Sequence, residues 1–174
     1  KELKLRNHFN NQDFAILYRT NAQSRSFEES LRRLGIAYRI YGGTSFYQRK
    51  EIKDYLAYLR VIVNTQDEES LKRIINYPTR GIGKTTIEKA VVIANENNIS
   101  LWQVLEASNA YGFKGNTQES LSNFVTMIRY FQSMLTAKNA YDVAFAVGKN
   151  TNMVKELFND KSTEGLARYE NIQE

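Results

Sequence analysis

The recurrence of apolar residues at helical spacing constrains the fold of this chain more than any other feature of its sequence. From residue 49 onward, leucine, isoleucine, valine and phenylalanine return every three or four positions, and the longest stripe runs from Leu121 to Leu135. Side chains three and four residues apart share one face of an α-helix, so this spacing is typical of helices that bury one face. The pattern predicts helices over residues 49–63, 67–76, 86–97, 101–105, 117–137, 141–147, 152–158 and 163–174.

The amino-terminal part of the chain has a different pattern. Residues 14–18 form a continuous apolar run, which is typical of a strand covered on both faces, and residues 38–41 form a second candidate strand. Between them, Phe27, Leu31 and Leu34 have helical spacing, and Gly35 is expected to end that helix. A strand, a helix and a strand in this order predict a βαβ unit with parallel neighbouring strands. The predicted fold class is therefore mainly α with a small βαβ element.

The composition excludes several classes of chemistry. The chain has no cysteine, which removes disulfides, thiolate zinc sites and thiol catalysis. It has one histidine, His8, which is too few for a typical histidine metal site and makes histidine-based catalysis a weak candidate. No apolar run approaches the roughly 18 residues that a membrane span needs, so we expect no contact with a membrane. The net charge of +5 is compatible with nucleic-acid binding but does not identify it.

Residues 80–86, Arg-Gly-Ile-Gly-Lys-Thr-Thr, carry the strongest functional signal. Gly-Lys-Thr resembles the end of a nucleotide-binding loop, but that loop needs a glycine five positions before Gly83, where this chain has Pro78. Residues 70–76, which precede the segment, are also predicted to be helical, whereas a nucleotide-binding loop follows a strand. We therefore expect a tight turn whose last residues begin a helix and offer free N–H groups to a DNA phosphate. The alternative is an ordinary turn between helices that needs glycine for a positive φ.

Four segments, taken in order, resemble the UvrD/PcrA/Rep branch of superfamily 1 DNA helicases. They are residues 15–25, residues 38–43 with Phe46, residues 49–54 with residues 58–60, and residues 78–83. The resemblance implies that residues 1–41 begin the second RecA-like motor lobe, a fragment of a P-loop-type fold. It further implies that residues 42–174 are most of an inserted, all-helical accessory subdomain, called 2B, truncated at its carboxyl end.

The same resemblance implies a cytoplasmic parent enzyme that unwinds DNA in the 3′ to 5′ direction, with ATP and Mg²⁺ as cofactors, in repair or replication. The nucleotide loop, acidic metal box and carboxyl-terminal arginine motifs of the family match nothing in this chain. We therefore expect this chain to hold no catalytic residue, no metal and no cofactor, and to neither hydrolyse ATP nor unwind DNA alone. The implied partners are DNA at a junction of duplex and single strand, and the remaining lobes of the parent. The alternative function is a regulatory or protein-interaction module that restrains the motor.

The resemblance also assigns roles to individual residues. A hairpin that grips the duplex backbone would consist of Arg80, Gly81, Ile82, Gly83, Lys84, Thr85 and Thr86. A surface that contacts the tracking single strand, or supports it, would include Arg19, Asn21, Ser24 and Arg25; the alternative is helix capping by Asn21 beside solvated arginines. Gly42 and Gly43 would form a hinge between lobe and subdomain, or a simple connection. We expect Phe46, Tyr47 and Trp102 to be packing residues.

Overall fold

The computed structural model describes residue 6 and residues 8–19, 21–41 and 46–174, apart from the side chains of residues 21 and 22. These residues form α-helices and two short 3₁₀ turns, Asn11–Asp13 and Phe46–Gln48. The α-helices are α1 (Asn21–Arg33), α2 (Lys50–Val63), α3 (Glu68–Ile74), α4 (Lys84–Asn97), α5 (Leu101–Glu106), α6 (Gly115–Met134), α7 (Ala140–Asn150), α8 (Met153–Asn159) and α9 (Thr163–Gln173).

The helices predicted from residue 49 onward are confirmed, with boundaries shifted by a few residues. Polar side chains fix several of their starts, because an N-cap oxygen accepts an N–H that the first turn leaves unpaired. The Asp67 carboxylate accepts from the Ser70 N–H at 3.0 Å, and Ser100 forms a reciprocal capping box with Gln103. None of the described helices has the length and apolar character that crossing a bilayer requires.

The hydrophobic core lies among α2, α3, α5 and α6. It includes Trp102 of α5, which is 5% exposed as predicted, and it also receives Ile82 from the connection between α3 and α4. The largest of the described side chains that are completely or almost completely buried are Tyr58, Ile62, Leu71, Ile74, Ile75, Ile82, Leu101, Leu105, Leu121, Phe124, Ile128 and Phe131. Helix α8 packs against α7 and α9, and α7 and α9 also pack against α2. Because Ile82 belongs to the hydrophobic core, the 80–86 segment is attached to that core.

The predicted βαβ unit is wrong. Residues 14–18 and 38–41 form no strand in the described part of the chain, and only the intervening helix, α1, is present. Leu17 is 93% exposed and Tyr41 is 84% exposed. An extended segment becomes a strand only when its backbone groups pair with a neighbour and its apolar side chains are covered. Neither condition is met at residues 14–18, so this apolar run forms no strand.

A buried polar network holds α1 against α2 and α9. The Arg49 guanidinium donates to Ser24 Oγ at 3.0 Å and to the Asn171 side-chain oxygen, and Asn171 donates to Glu51 at 2.6 Å. Glu28 accepts the Phe46 N–H at 3.1 Å. These side chains are less than a tenth exposed. Buried polar groups are tolerated when they are hydrogen-bonded, and this network joins the amino-terminal helix to the carboxyl-terminal one.

Candidate nucleic-acid interface

The connection between α3 and α4 is held in place by one amide side chain. The Asn76 side-chain oxygen accepts the backbone N–H of Arg80 at 2.9 Å and that of Ile82 at 3.1 Å. The Ile82 side chain, between the two glycines, is fully buried. The middle of the 80–86 segment is therefore fastened to the core, and its glycines lie on the outer side of that anchor.

The Arg80 side chain turns back into the molecule. Its guanidinium donates to the carbonyl oxygens of Ile74 at 3.1 Å and Pro78 at 3.0 Å, and to the Tyr58 hydroxyl. Its central carbon lies 5.7 Å from the ring centres of both Tyr58 and Phe124. Burial raises the pKa of the Tyr58 hydroxyl to about 12, so this phenol remains a neutral partner at ordinary pH. Arg80 thus fixes the shape of the segment from beneath.

The outer rim of the segment is a set of exposed donors. Gly81, Gly83, Lys84 and Thr85 are exposed, and the structure gives their N–H groups no acceptor among the described residues. The N–H of Thr86 is used within the turn, where it donates to the Gly83 carbonyl at 3.1 Å. Because these amides stand at the start of α4, the positive end of the helix dipole adds to their field.

The two glycines have different conformations. Gly81 has a φ of +76°, in the left-handed region that disfavours other residues. Gly83 is the N-cap of α4 with φ −72° and ψ 167°, which any residue can adopt. A Cβ atom built on Gly83 would meet nothing within 4 Å. The turn itself therefore requires a glycine at position 81 and does not require one at position 83.

The donor groups around the rim suit an oxyanion. The Lys84 side chain is 88% exposed, and its amine lies 3.6 Å from the Glu88 carboxylate one turn further along α4. Free N–H groups, two threonine hydroxyls and one ammonium group are the donors that proteins use for phosphate. Among the described residues, no group of histidine, cysteine, aspartate or glutamate side chains could hold a metal ion. The rim can bind an anion through its own donors.

The predicted single-strand surface is only partly assembled. Ser24 is 2% exposed and accepts from Arg49, while Arg25 is paired with Glu29 at 2.8 Å. Arg19 is exposed, and its backbone N–H donates to the Gln23 side chain at 3.0 Å. The Asn21 side chain lies outside the described residues. Because Ser24 is buried, its position suits a residue that supports the predicted DNA-binding surface better than one that contacts single-stranded DNA.

The predicted hinge, Gly42 and Gly43, also lies outside the described residues. Phe46, which follows it, is 4% exposed, as expected for a packing residue. Its ring lies 5.1 Å from the Arg25 guanidinium and 5.2 Å from that of Arg49. The hinge assignment stays a prediction.

All of residues 1–174 match the sequence model of the family described as the UvrD-like helicase C-terminal domain. The chain belongs to this family. It is 41% identical over 162 residues to the ATP-dependent DNA helicase PcrA of Bacillus subtilis, which covers 93% of this chain and 22% of that protein. It is 39% identical over 163 residues to PcrA of Staphylococcus aureus strain Mu50, covering 94% of this chain and 22% of the relative. The chain is also 39% identical over 163 residues to DNA helicase II of Haemophilus influenzae, and the match covers 93% of this chain and 22% of that protein.

The family match confirms the predicted relationship to UvrD and PcrA. The UvrD-like domain spans only 22% of the length of these relatives. The division at residue 41 into a motor-lobe start and an accessory subdomain stays a prediction, as do the roles assigned to single residues.

The sequence analysis missed the residues that shape the 80–86 segment of this UvrD-like domain from within. Asn76 and Tyr58 are the clearest cases, since each bonds to the segment from a neighbouring helix or its end. The one available signal for Asn76 was its type, because asparagine side chains often accept backbone N–H groups in turns. Nothing in the spacing of Tyr58 distinguishes it from an ordinary core residue.

Proposed function

We propose that this chain binds the sugar-phosphate backbone of duplex DNA beside a single-strand junction, through the 80–86 segment. One observation carries the proposal: Gly81, Gly83, Lys84 and Thr85 are exposed, and no described residue accepts their N–H groups, which lie at or just before the positive end of α4. A phosphate oxygen is the natural acceptor for such a cluster. Contacts of this kind position a protein on DNA without reading bases, so the binding has no sequence preference.

The chain is proposed to act as an accessory region of a 3′ to 5′ ATP-dependent DNA helicase. The printed names of the relatives, ATP-dependent DNA helicase PcrA and DNA helicase II, support this at 39–41% identity. In the proposed parent, which acts in the cytoplasm, ATP and Mg²⁺ are held by other parts of the enzyme. Residues 42–174 correspond to its 2B subdomain and residues 1–41 to the start of its second motor lobe.

The affinity of the chain alone is expected to be weak and sensitive to salt. The affinity gained from counterion release scales with the number of phosphates neutralised, and the cation of the rim, Lys84, already lies 3.6 Å from the Glu88 carboxylate. Binding should therefore be measured at low ionic strength first and then along a salt series.

The test is a pair of matched double variants, titrated against a fluorescent duplex with a single-stranded tail. Lys84→Gln with Thr85→Val removes the exposed ammonium group and one hydroxyl of the rim. Thr136→Val with Lys138→Gln makes the same changes at exposed positions beyond the far end of α6. We expect the rim variant to bind roughly tenfold more weakly and to lose about one unit of salt slope. Equal affinities for the two variants would overturn the proposal.

A second candidate function is supported by an exposed aromatic pair on α7. Tyr141 is 74% exposed and Phe145 is 61% exposed, and their rings stack with centres 6.3 Å apart. Exposed apolar side chains of this size are typical of contact surfaces, which suits a module that restrains a motor or docks a partner. If the wild-type chain binds no DNA even at low salt, this regulatory function is favoured over the first.

A further inference from the structure

A groove of about 300 Å³ opens beside Gly81, between the 80–86 segment and α6. We call it the α6 groove, and its lining is Arg80, Ser120, Asn123, Phe124 and Met127. A Cβ atom built on Gly81 would lie 3.7 Å from the Ser120 hydroxyl oxygen, so turn and helix face each other closely here. These lining residues include a cation and two neutral polar side chains, and none of them is acidic.

The cation in the wall of the groove has only neutral partners. The Arg80 guanidinium donates to two carbonyl oxygens and one phenol, and all three of these acceptors are neutral. Within the described part of the chain, no carboxylate forms an ion pair with Arg80. Asp54, which acts electrostatically on Tyr58, is itself paired with Arg73 at 2.6 Å. A partly buried charge without a counter-ion is costly, and an anion in the groove would offset that cost.

The opposite wall presents two polar side chains that are not used inside the protein. Ser120 and Asn123 are three residues apart on α6 and therefore share one face. Neither side chain forms a hydrogen bond in the described structure, and the Gly81 N–H is also without an acceptor. A hydroxyl, an amide and a backbone N–H thus surround an opening whose wall carries an uncompensated guanidinium.

We propose that the α6 groove binds a second backbone phosphate of the duplex, next to the one at the start of α4. This inference rests on the proposed function and adds Ser120 and Asn123 to the interface. Arg80 supplies the charge from the wall of the groove, Ser120 and Asn123 supply donors from α6, and Gly81 lets the backbone approach. The donors contact phosphate oxygens only, so the second site adds affinity and orientation without sequence preference.

The experiment compares two variants of α6: one places a carboxylate in the groove, and the other places a carboxylate on a different face of the same helix. Asn123→Asp is isosteric and puts an anion where the phosphate would lie. Ser122→Asp adds the same charge at an exposed position that helical geometry turns away from Arg80. We expect Asn123→Asp to raise the Tm by roughly 2–4 °C, because it gives Arg80 a counter-ion, and to weaken duplex binding about tenfold or more. Ser122→Asp should leave the Tm unchanged and weaken binding about twofold, through screened repulsion alone.

The outcomes separate this inference from the proposed function. If Asn123→Asp and Ser122→Asp bind duplex equally well while Lys84→Gln with Thr85→Val loses affinity, the groove proposal is overturned and the rim proposal stands. If the wild-type chain binds no duplex, both are overturned. In a further arm, inorganic phosphate is added to the wild type and to Asn123→Asp without DNA. A phosphate-dependent Tm rise confined to the wild type, in a chain that binds no duplex, would assign the groove to free phosphate instead.

Discussion

Replacing Gly83 with aspartate should make the protein more stable and its DNA binding weaker. Gly83 is the N-cap of α4 and contributes no side-chain hydrogen bond. Its φ of −72° and ψ of 167° suit any residue, and a Cβ atom there would meet nothing within 4 Å. An aspartate at the N-cap would accept the N–H group of Thr85, which has no acceptor among the described residues, and would complement the positive end of the helix.

The expected gain in stability is modest and follows from the capping preferences. Aspartate exceeds glycine at an N-cap by a few tenths of a kcal/mol, and the dipole adds about 0.3–1 kcal/mol. A total of about 0.5–1 kcal/mol corresponds to a Tm rise of roughly 1–4 °C for a domain of this size. Urea denaturation followed by circular dichroism measures the free energy directly.

The expected loss of DNA affinity is larger. The new carboxylate occupies the Thr85 amide, one of those that the phosphate is proposed to use, and places a negative charge beside the phosphate. A hydrogen bond to a charged group contributes about 1.5–3 kcal/mol, so its loss weakens binding by at least roughly tenfold. Fluorescence anisotropy along a KCl series measures both the affinity and the salt slope.

The control for this prediction is Asn139→Asp. Asn139 is the N-cap of α7, where its side chain accepts the Asp142 N–H at 2.9 Å, so the change adds one negative charge at an equivalent helix position elsewhere. If Gly83→Asp is stabilised but binds duplex as tightly as Asn139→Asp, the donors of the 80–86 segment do not face DNA. If Gly83→Asp gains no stability, the capping geometry at α4 is wrong.

Three further predictions concern the residues that hold the interface and the fold. Gly81→Ala should destabilise the protein by about 1–2 kcal/mol in urea denaturation, because its φ of +76° disfavours a Cβ atom while the Ser120 hydroxyl leaves room for one; an unchanged midpoint would contradict this. Asn171→Ala should cost about 2–4 kcal/mol in the same assay, because it leaves the buried Arg49 and Glu51 each short of a partner; a loss below about 0.5 kcal/mol would refute the network. Tyr58→Phe should be less stable at neutral pH. In the folded protein, burial raises the pKa of Tyr58 from 10.0 to about 12, so the stabilisation that its hydroxyl provides is complete below pH 10 and is lost as the pH rises through 12. The difference in unfolding free energy between wild type and Tyr58→Phe should therefore narrow between pH 10 and pH 12. A constant difference would contradict the raised pKa of Tyr58.

The helical part of the fold could be predicted from the sequence because its signals are local. Caps such as Asp67 and Ser100 act within one turn, and the apolar stripe of α6 has a period that only a helix satisfies. The strand prediction for residues 14–18 was wrong because a strand depends on a neighbour that composition cannot supply. An apolar run of that length is compatible with a buried strand, but residues 14–18 form no strand here, and residues 14–17 are exposed.

In the candidate site, too, some features follow from local sequence and others only from tertiary packing. The sequence by itself determined that a proline and two glycines interrupt the helices at residues 78–83, and that Lys84, Thr85 and Thr86 begin the next one. Only the tertiary structure decided that Arg80 turns inward, that Asn76 anchors the turn and that Ser120 and Asn123 lie across from Gly81. Capping and glycine preferences act between neighbours in the chain. Which side chains remain exposed depends instead on how α2, α3 and α6 pack, through contacts between residues far apart in sequence.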